Sequence, residues 1–167
     1  INDEFYSKSV VSAFQKSRID PLLKLLKTSE ITFETIPSIL IAHYTICNEI
    51  YEITKLRKRS FSSKYLHFHL PRLFFIYDTR SVNAIRDIVG ELPKSFPVDI
   101  LNEAQDKEYA LFFLKCFLLQ TSINNEFNIL LTPRQIDNLL VEHSNSKLKS
   151  KKSAATNSAQ AQNQAFR

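Results

Sequence analysis

The sequence predicts an all-α fold: a single-domain orthogonal helical bundle of about six or seven helices, followed by a disordered C-terminal tail. Three observations lead there. The 167 residues contain one glycine, too few for turn-rich β architecture or a glycine-rich phosphate loop. Apolar residues recur at spacings of three and four, the helical period. The apolar content of 44% is sufficient for one core in a chain of this length. The helical domain is expected over residues 1–143 and the tail over 144–167.

Phe5, Val10, Ala13 and Phe14 suit a first amphipathic helix over roughly residues 3–17. Asp20 and Pro21 then offer an N-cap and a first-turn proline for a short helix through Leu22, Leu23, Leu25 and Leu26. Thr35 and Pro37 open the longest helix, with Ile39, Leu40, His43, Ile46, Ile50 and Ile53 along one stripe toward Leu56. Ser60 or Ser62 caps the next, over 61–69, which stops before Pro71.

Leu73 to Tyr77 is a continuous apolar run, either a buried connector or a short strand. Asp78 is the N-cap of a helix over 79–89, and Gly90 is its stop. Pro93 and Pro97 mark a loop before a strongly apolar helix over 100–121. Thr132-Pro133-Arg134-Gln135 is a capping box that opens a last helix to about His143. From Ser144 the composition turns to Ser, Lys, Asn, Gln and Ala, with little to bury.

Charge is unevenly placed. Lys147, Lys149, Lys151, Lys152 and Arg167 lie beyond Glu142, and without these five the chain's 22 Lys and Arg become 17, equal to its 17 Asp and Glu. Within that neutral body, residues 55–86 hold eight Lys or Arg against Asp78 alone, a net +7. Residues 1–54 and 87–142 carry −2 and −5. Such a split is either a binding face for a polyanion or an internal match between a basic segment and acidic neighbours.

Cys47 and Cys116 sit in apolar runs without metal-ligand spacing and are expected as buried free thiols in a reducing compartment. The apolar runs are too short or too interrupted to cross a bilayer, and no signal peptide is evident, so a cytoplasmic protein with no membrane partner is expected. The chain has no methionine, which implies processing or truncation ahead of Ile1.

Arg57, Lys58 and Arg59 end the long helix and precede Ser60 and a helix start. Such cations complement helix-end carbonyls, and with hydroxyls and first-turn amides they also form a phosphate site. Lys64, Arg72 and Arg80 extend the basic set. His67 and His69 diverge by about 200° on a helix, so they do not share a metal; each is a candidate base or anion contact. No metal or cofactor is expected. Tyr65, Phe68, Phe74, Phe75 and Tyr77 are expected in the core, with base stacking as the alternative. Asp78 is either a helix cap or a catalytic carboxylate.

Ile76-Tyr77-Asp78-Thr79-Arg80, followed by Val82, Ala84 and Ile85, resembles the segment of helix-hairpin-helix DNA glycosylases that bears their catalytic aspartate. The resemblance covers about residues 60–86 and places Asp78 at the aspartate and Arg80 where that family commonly has histidine. The family's hairpin glycines are absent before Gly90, and Ser60 stands where bifunctional members have lysine. The stretch from Ser63 to Asp78 also resembles a motif of uncharacterised bacterial proteins. The leading expectation is a module that binds nucleic acid, or another polyanion, through Arg57, Lys58, Arg59, Ser60, Lys64, Arg72 and Arg80. The alternatives are a glycosylase-like enzyme using Asp78, as the resemblance implies, and a protein-interaction module that meets an acidic partner.

Overall fold

The computed structural model describes residues 11–16, 19–94, 96, 97 and 99–165, and the side chains of residues 13, 14, 16, 102 and 151–165 lie outside that description. Its helices are α1 Val11–Lys16, α2 Ile19–Leu26, α3 Ile36–Thr54, α4 Arg59–His69, α5 Thr79–Val89, α6 Asp99–Glu103, α7 Lys107–Phe127 and α8 Pro133–Ala165. No strand occurs among the described residues, and α2 to α8 contribute to one apolar core. α2 and α4 pack on α3, α5 packs on α7 and α8, and α6 packs on α7. No helix among the described residues is long and apolar enough to cross a membrane.

Of the first expected helix, α1 is the part that falls within the described residues; Phe5 and Val10 lie outside them, and Ala13 and Phe14 lie outside the described side chains. α2 begins at Ile19, so Asp20 sits in its first turn rather than ahead of it. α3 follows its apolar stripe: Ile36, Ile39, Leu40, His43, Ile46, Cys47 and Ile50 are all buried. Thr35 precedes it but does not cap it, because its hydroxyl bonds the Glu30 and Thr32 carbonyls instead.

The serines expected to cap α4 lie inside it. The helix starts at Arg59, Lys58 holds the cap position without a side-chain bond, and Ser62 and Ser63 are buried. Ser62 Oγ donates to the Lys58 carbonyl at 3.0 Å and Ser63 Oγ to the Ser60 carbonyl at 3.1 Å. Each hydroxyl thereby donates its proton within its own helix.

Leu73 to Tyr77 is a connector. Leu73, Phe74 and Phe75 are buried, and side chains satisfy the backbone that a strand would have paired. Ser63 Oγ accepts the Tyr77 amide at 2.9 Å, His67 Nδ1 donates to the Phe74 carbonyl at 2.7 Å, and Tyr109 Oη donates to the Phe75 carbonyl at 3.2 Å.

Asp78 caps α5 as expected, its Oδ1 accepting the Ser81 amide at 2.9 Å. The helix expected over 100–121 is divided: α6 ends at Glu103, and α7 begins at Lys107 behind a new cap, Asp106, and runs on to Phe127. The capping box forms reciprocally, with Gln135 Oε1 accepting the Thr132 amide and Thr132 Oγ1 accepting the Gln135 amide, at 2.8 and 3.3 Å. α8 does not stop at His143 but continues to Ala165, so composition rather than backbone changes at residue 144.

Gly90 ends α5 at φ 66° and ψ −128° with nothing within 4 Å of a Cβ placed there. Its necessity is conformational, since that region is costly for an L side chain. Gly90→Ala is expected to destabilise the fold by about 1–2 kcal/mol, read as a lower urea midpoint at unchanged slope.

Candidate nucleic-acid interface

The basic segment divides into cations that turn inward and cations that stay outside. Arg59 turns inward. Its Nε lies 2.9 and 2.7 Å from the two oxygens of Asp106, and its Nη1 meets Glu108. The Asp106 side chain is 3% exposed and that of Arg59 25%, so this pair is largely withdrawn from water. Asp106 also accepts the Tyr109 amide at 3.3 Å, joining the cap of α7 to the start of α4.

His43 of α3 completes the junction. It is fully buried, its ring lies parallel to that of Tyr109 at a centroid distance of 3.4 Å, and its Nε2 donates to the Arg59 carbonyl at 3.3 Å. Its Nδ1 is buried without a hydrogen-bond partner. Burial is the largest influence on this imidazole and pushes its pKa down from 6.5 to about 4, so the ring is neutral at pH 7 with its proton on Nε2.

Arg57, Lys58, Lys64, Arg72 and Arg80 form no ion pair among the described residues. Arg57 lies over the Tyr51 ring at 5.3 Å, while Lys55 pairs with Glu52 at 3.2 Å. All five unpaired cations are exposed except Lys58, which is half-buried. Ser60 is half-buried, with its carbonyl taken by Ser63, and the Ser62 and Ser63 hydroxyls are committed within the helix. The Ser62 and Ser63 hydroxyls are therefore turned away from the phosphate site expected ahead of α4.

On α4, Ser62, Ser63 and Leu66 are buried, and at about 100° per residue Phe61, Lys64 and Phe68 occupy the opposite side. Phe68 is 82% exposed, against the expectation that it lies in the core, whereas Phe74 and Phe75 are core residues. Rings run on along the helix: Phe61 stacks on Tyr65 at 6.3 Å, Tyr65 meets His69 at 4.5 Å, and Phe68 meets His69 edge-on at 5.5 Å. Tyr65 is half-buried and His69 exposed. Burial, and after it Asp20 of α2, raises the Tyr65 hydroxyl pKa. His67 is drawn to the connector through its bond to Phe74. Helical spacing was the available signal for Phe61 and Phe68, seven residues apart and opposite Leu66.

Asp78 is half-buried and caps α5; the next-turn Ser81 hydroxyl reaches Asp137 of α8 at 3.4 Å. Burial raises the Asp137 carboxyl, and the nearby Asp78 adds to that rise. A cleft of about 300 Å³ between α5 and α8 is lined by Asn83, Arg86, Asp87, Ser144 and Lys147, but not by Asp78. Lys147 pairs with Asp87 there at 2.6 Å, and Arg86 bonds Asn83 at 2.8 Å. No group of three His, Cys, Asp or Glu among the described residues is placed to hold a metal. Burial raises both thiols, Cys116 well above its ordinary value, which leaves neither one an activated nucleophile.

The chain matches no protein-family model, no curated protein and no solved structure.

The junction at His43 generates a pH dependence of fixed sign. The folded-state pKa of about 4 lies below the unfolded value near 6.5, so between them the unfolded chain binds more protons and stability falls as pH falls. At 1.36 kcal/mol per unit, the full loss below pH 4 is about 3 kcal/mol. Urea unfolding of wild type and His43→Phe between pH 7 and 4.5 is expected to show a shallower decline in the variant; parallel declines would refute the assignment. Asp106→Ala removes a cap and strands the Arg59 charge, with an expected cost of about 3 kcal/mol in chemical denaturation. Asp106→Asn keeps a capping oxygen and is expected to cost less.

Proposed function

We propose that this protein binds nucleic acid through the face around α4, using Arg57, Lys58, Lys64, Arg72 and Arg80. The observation that supports this most is the sorting of the basic segment. Internal charge matching accounts for Arg59, which meets Asp106 and Glu108, and for Lys55, which meets Glu52. Of the remaining six, it does not account for the five named above, which have no carboxylate partner among the described residues, nor for Arg86 of α5, which bonds the neutral Asn83. α4 itself contains no Asp or Glu. Unpaired cations on and flanking one acid-free helix, with Arg80 in the first turn of α5, suit a ligand with repeated negative charge, and phosphate backbones are the chemistry that such arrays neutralise.

The Ser81 amide gives Asp78 a complete structural role as a helix cap, so the proposal assigns it no chemical step. Arg59 likewise serves as a brace rather than a ligand for phosphate. The cleft at Lys147 and Arg86 is left out of the proposal: Lys147 is neutralised there by Asp87, and Arg86 is tied to the Asn83 side chain on its own helix.

Neutralisation of about five phosphates implies a slope of log affinity against log salt between about −3 and −5. Fluorescence anisotropy with labelled oligonucleotides from low to physiological salt measures it. Replacing Arg57 and Lys64 with Gln is expected to weaken binding and make the slope shallower by about 1–2, with unfolding unchanged. Salt-insensitive binding, or no binding to any nucleic acid or to heparin, would sink the proposal.

A further inference from the structure

Charge alone leaves the rings of α4 unexplained. Phe68 exposes 82% of its surface and Phe61 46%, and both belong to a run of four rings that continues through Tyr65 and His69. An exposed phenylalanine gains nothing for the fold, and a patch of them beside cations marks a contact surface. The rings are interleaved with positive charge: Lys64 lies between Phe61 and Phe68 on the outward side, Arg57 precedes the helix, and Arg72 follows it. No carboxylate lies on α4; Asp20, beside Tyr65, comes from α2.

We infer that this face takes single-stranded nucleic acid, with unpaired bases stacking on Phe61 and Phe68 and the backbone tracking Lys64, Arg57 and Arg72. The inference rests on the nucleic-acid reading above and narrows it. In a duplex the base faces are already stacked on one another, so a phenyl ring is limited to contact with a thymine methyl or to wedging open a base step at a cost in stacking. Unpaired bases offer free faces to a ring, and stacking is indifferent to sequence because every base has one. The charge pattern favours this occupant over an apolar protein helix, which has no use for unpaired cations, and the ring pattern favours it over an acidic peptide.

Four probes separate the possibilities: labelled oligothymidylate, an abasic oligomer of equal length, heparin and polyglutamate, each titrated with wild type and with Phe61→Ala/Phe68→Ala. The expected result is oligothymidylate binding tighter than the abasic oligomer and the matching duplex. The double variant is expected to lose about tenfold or more in oligothymidylate affinity while keeping its heparin affinity and its melting temperature. Phe68→Trp retains a stacking surface and is expected to preserve binding. Equal affinity for the abasic oligomer, tighter binding of duplex, tighter binding of polyglutamate, or a ring variant with unaltered oligothymidylate affinity each overturns the inference. Where salt-dependent duplex or heparin binding persists in those cases, the broader reading survives; where no probe binds, both fall.

Discussion

The contact between Arg59 and Asp106 fixes the geometry on which the rest depends. Four pieces of chain meet there. Asp106 caps α7, Arg59 opens α4, His43 of α3 bonds the Arg59 carbonyl, and Tyr109 stacks on His43 while holding the connector at Phe75. A buried ion pair gives up hydration that its attraction only partly restores, so its main contribution is orientation more than free energy. Here the orientation is specific. With Arg59 pointing inward at the first residue of α4, the helical period sends Phe61, Lys64 and Phe68 outward. A rotation of α4 by one residue would bury Lys64 and unpair Arg59 together.

The connector from Leu70 to Asp78 shows how an extended apolar segment is kept without a sheet. Its buried amides and carbonyls need partners, and α4 and α7 supply them from Ser63, His67 and Tyr109. This accounts for polar side chains on the inner side of α4. Ser62 and Ser63 are poor choices for a helix interior by propensity alone, yet they are small enough for close approach, and Ser63 both donates and accepts.

Local chemistry made much of the fold legible in the sequence. Asp78 with Gly90 and Thr132 with Gln135 define helix ends through bonds that span three or four residues, so neighbours alone decide them. The break before α7 was missed because the apolar run from Ala110 to Leu119 masks its start, although Asp106 is an ordinary capping residue. The serine cap of α4 failed for a different reason: serine suits a cap and an internal back-bond equally, and Ser62 takes the back-bond to the Lys58 carbonyl inside a helix that starts at Arg59. Within Arg57-Lys58-Arg59 no sequence signal separates the brace from its neighbours, because the carboxylates that select Arg59 lie 47 and 49 positions away.

The same sorting limits what electrostatics can do at the surface. Residues 1–142 balance 17 cations against 17 acids, and the chain's net +5 comes from the five cations beyond Glu142, so beyond a screening length of about 8 Å the α4 face gains nothing from the net charge of residues 1–142. In the proposed complex, affinity therefore arises chiefly from contacts made after encounter. Five unpaired cations lose most of their grip as salt rises, since their contribution is the release of counterions. Ring stacking has no such dependence on salt. In the proposed complex Phe61 and Phe68 are thus the groups whose contribution persists at physiological ionic strength, and their outward position follows from the inward turn of Arg59 two residues before the first of them.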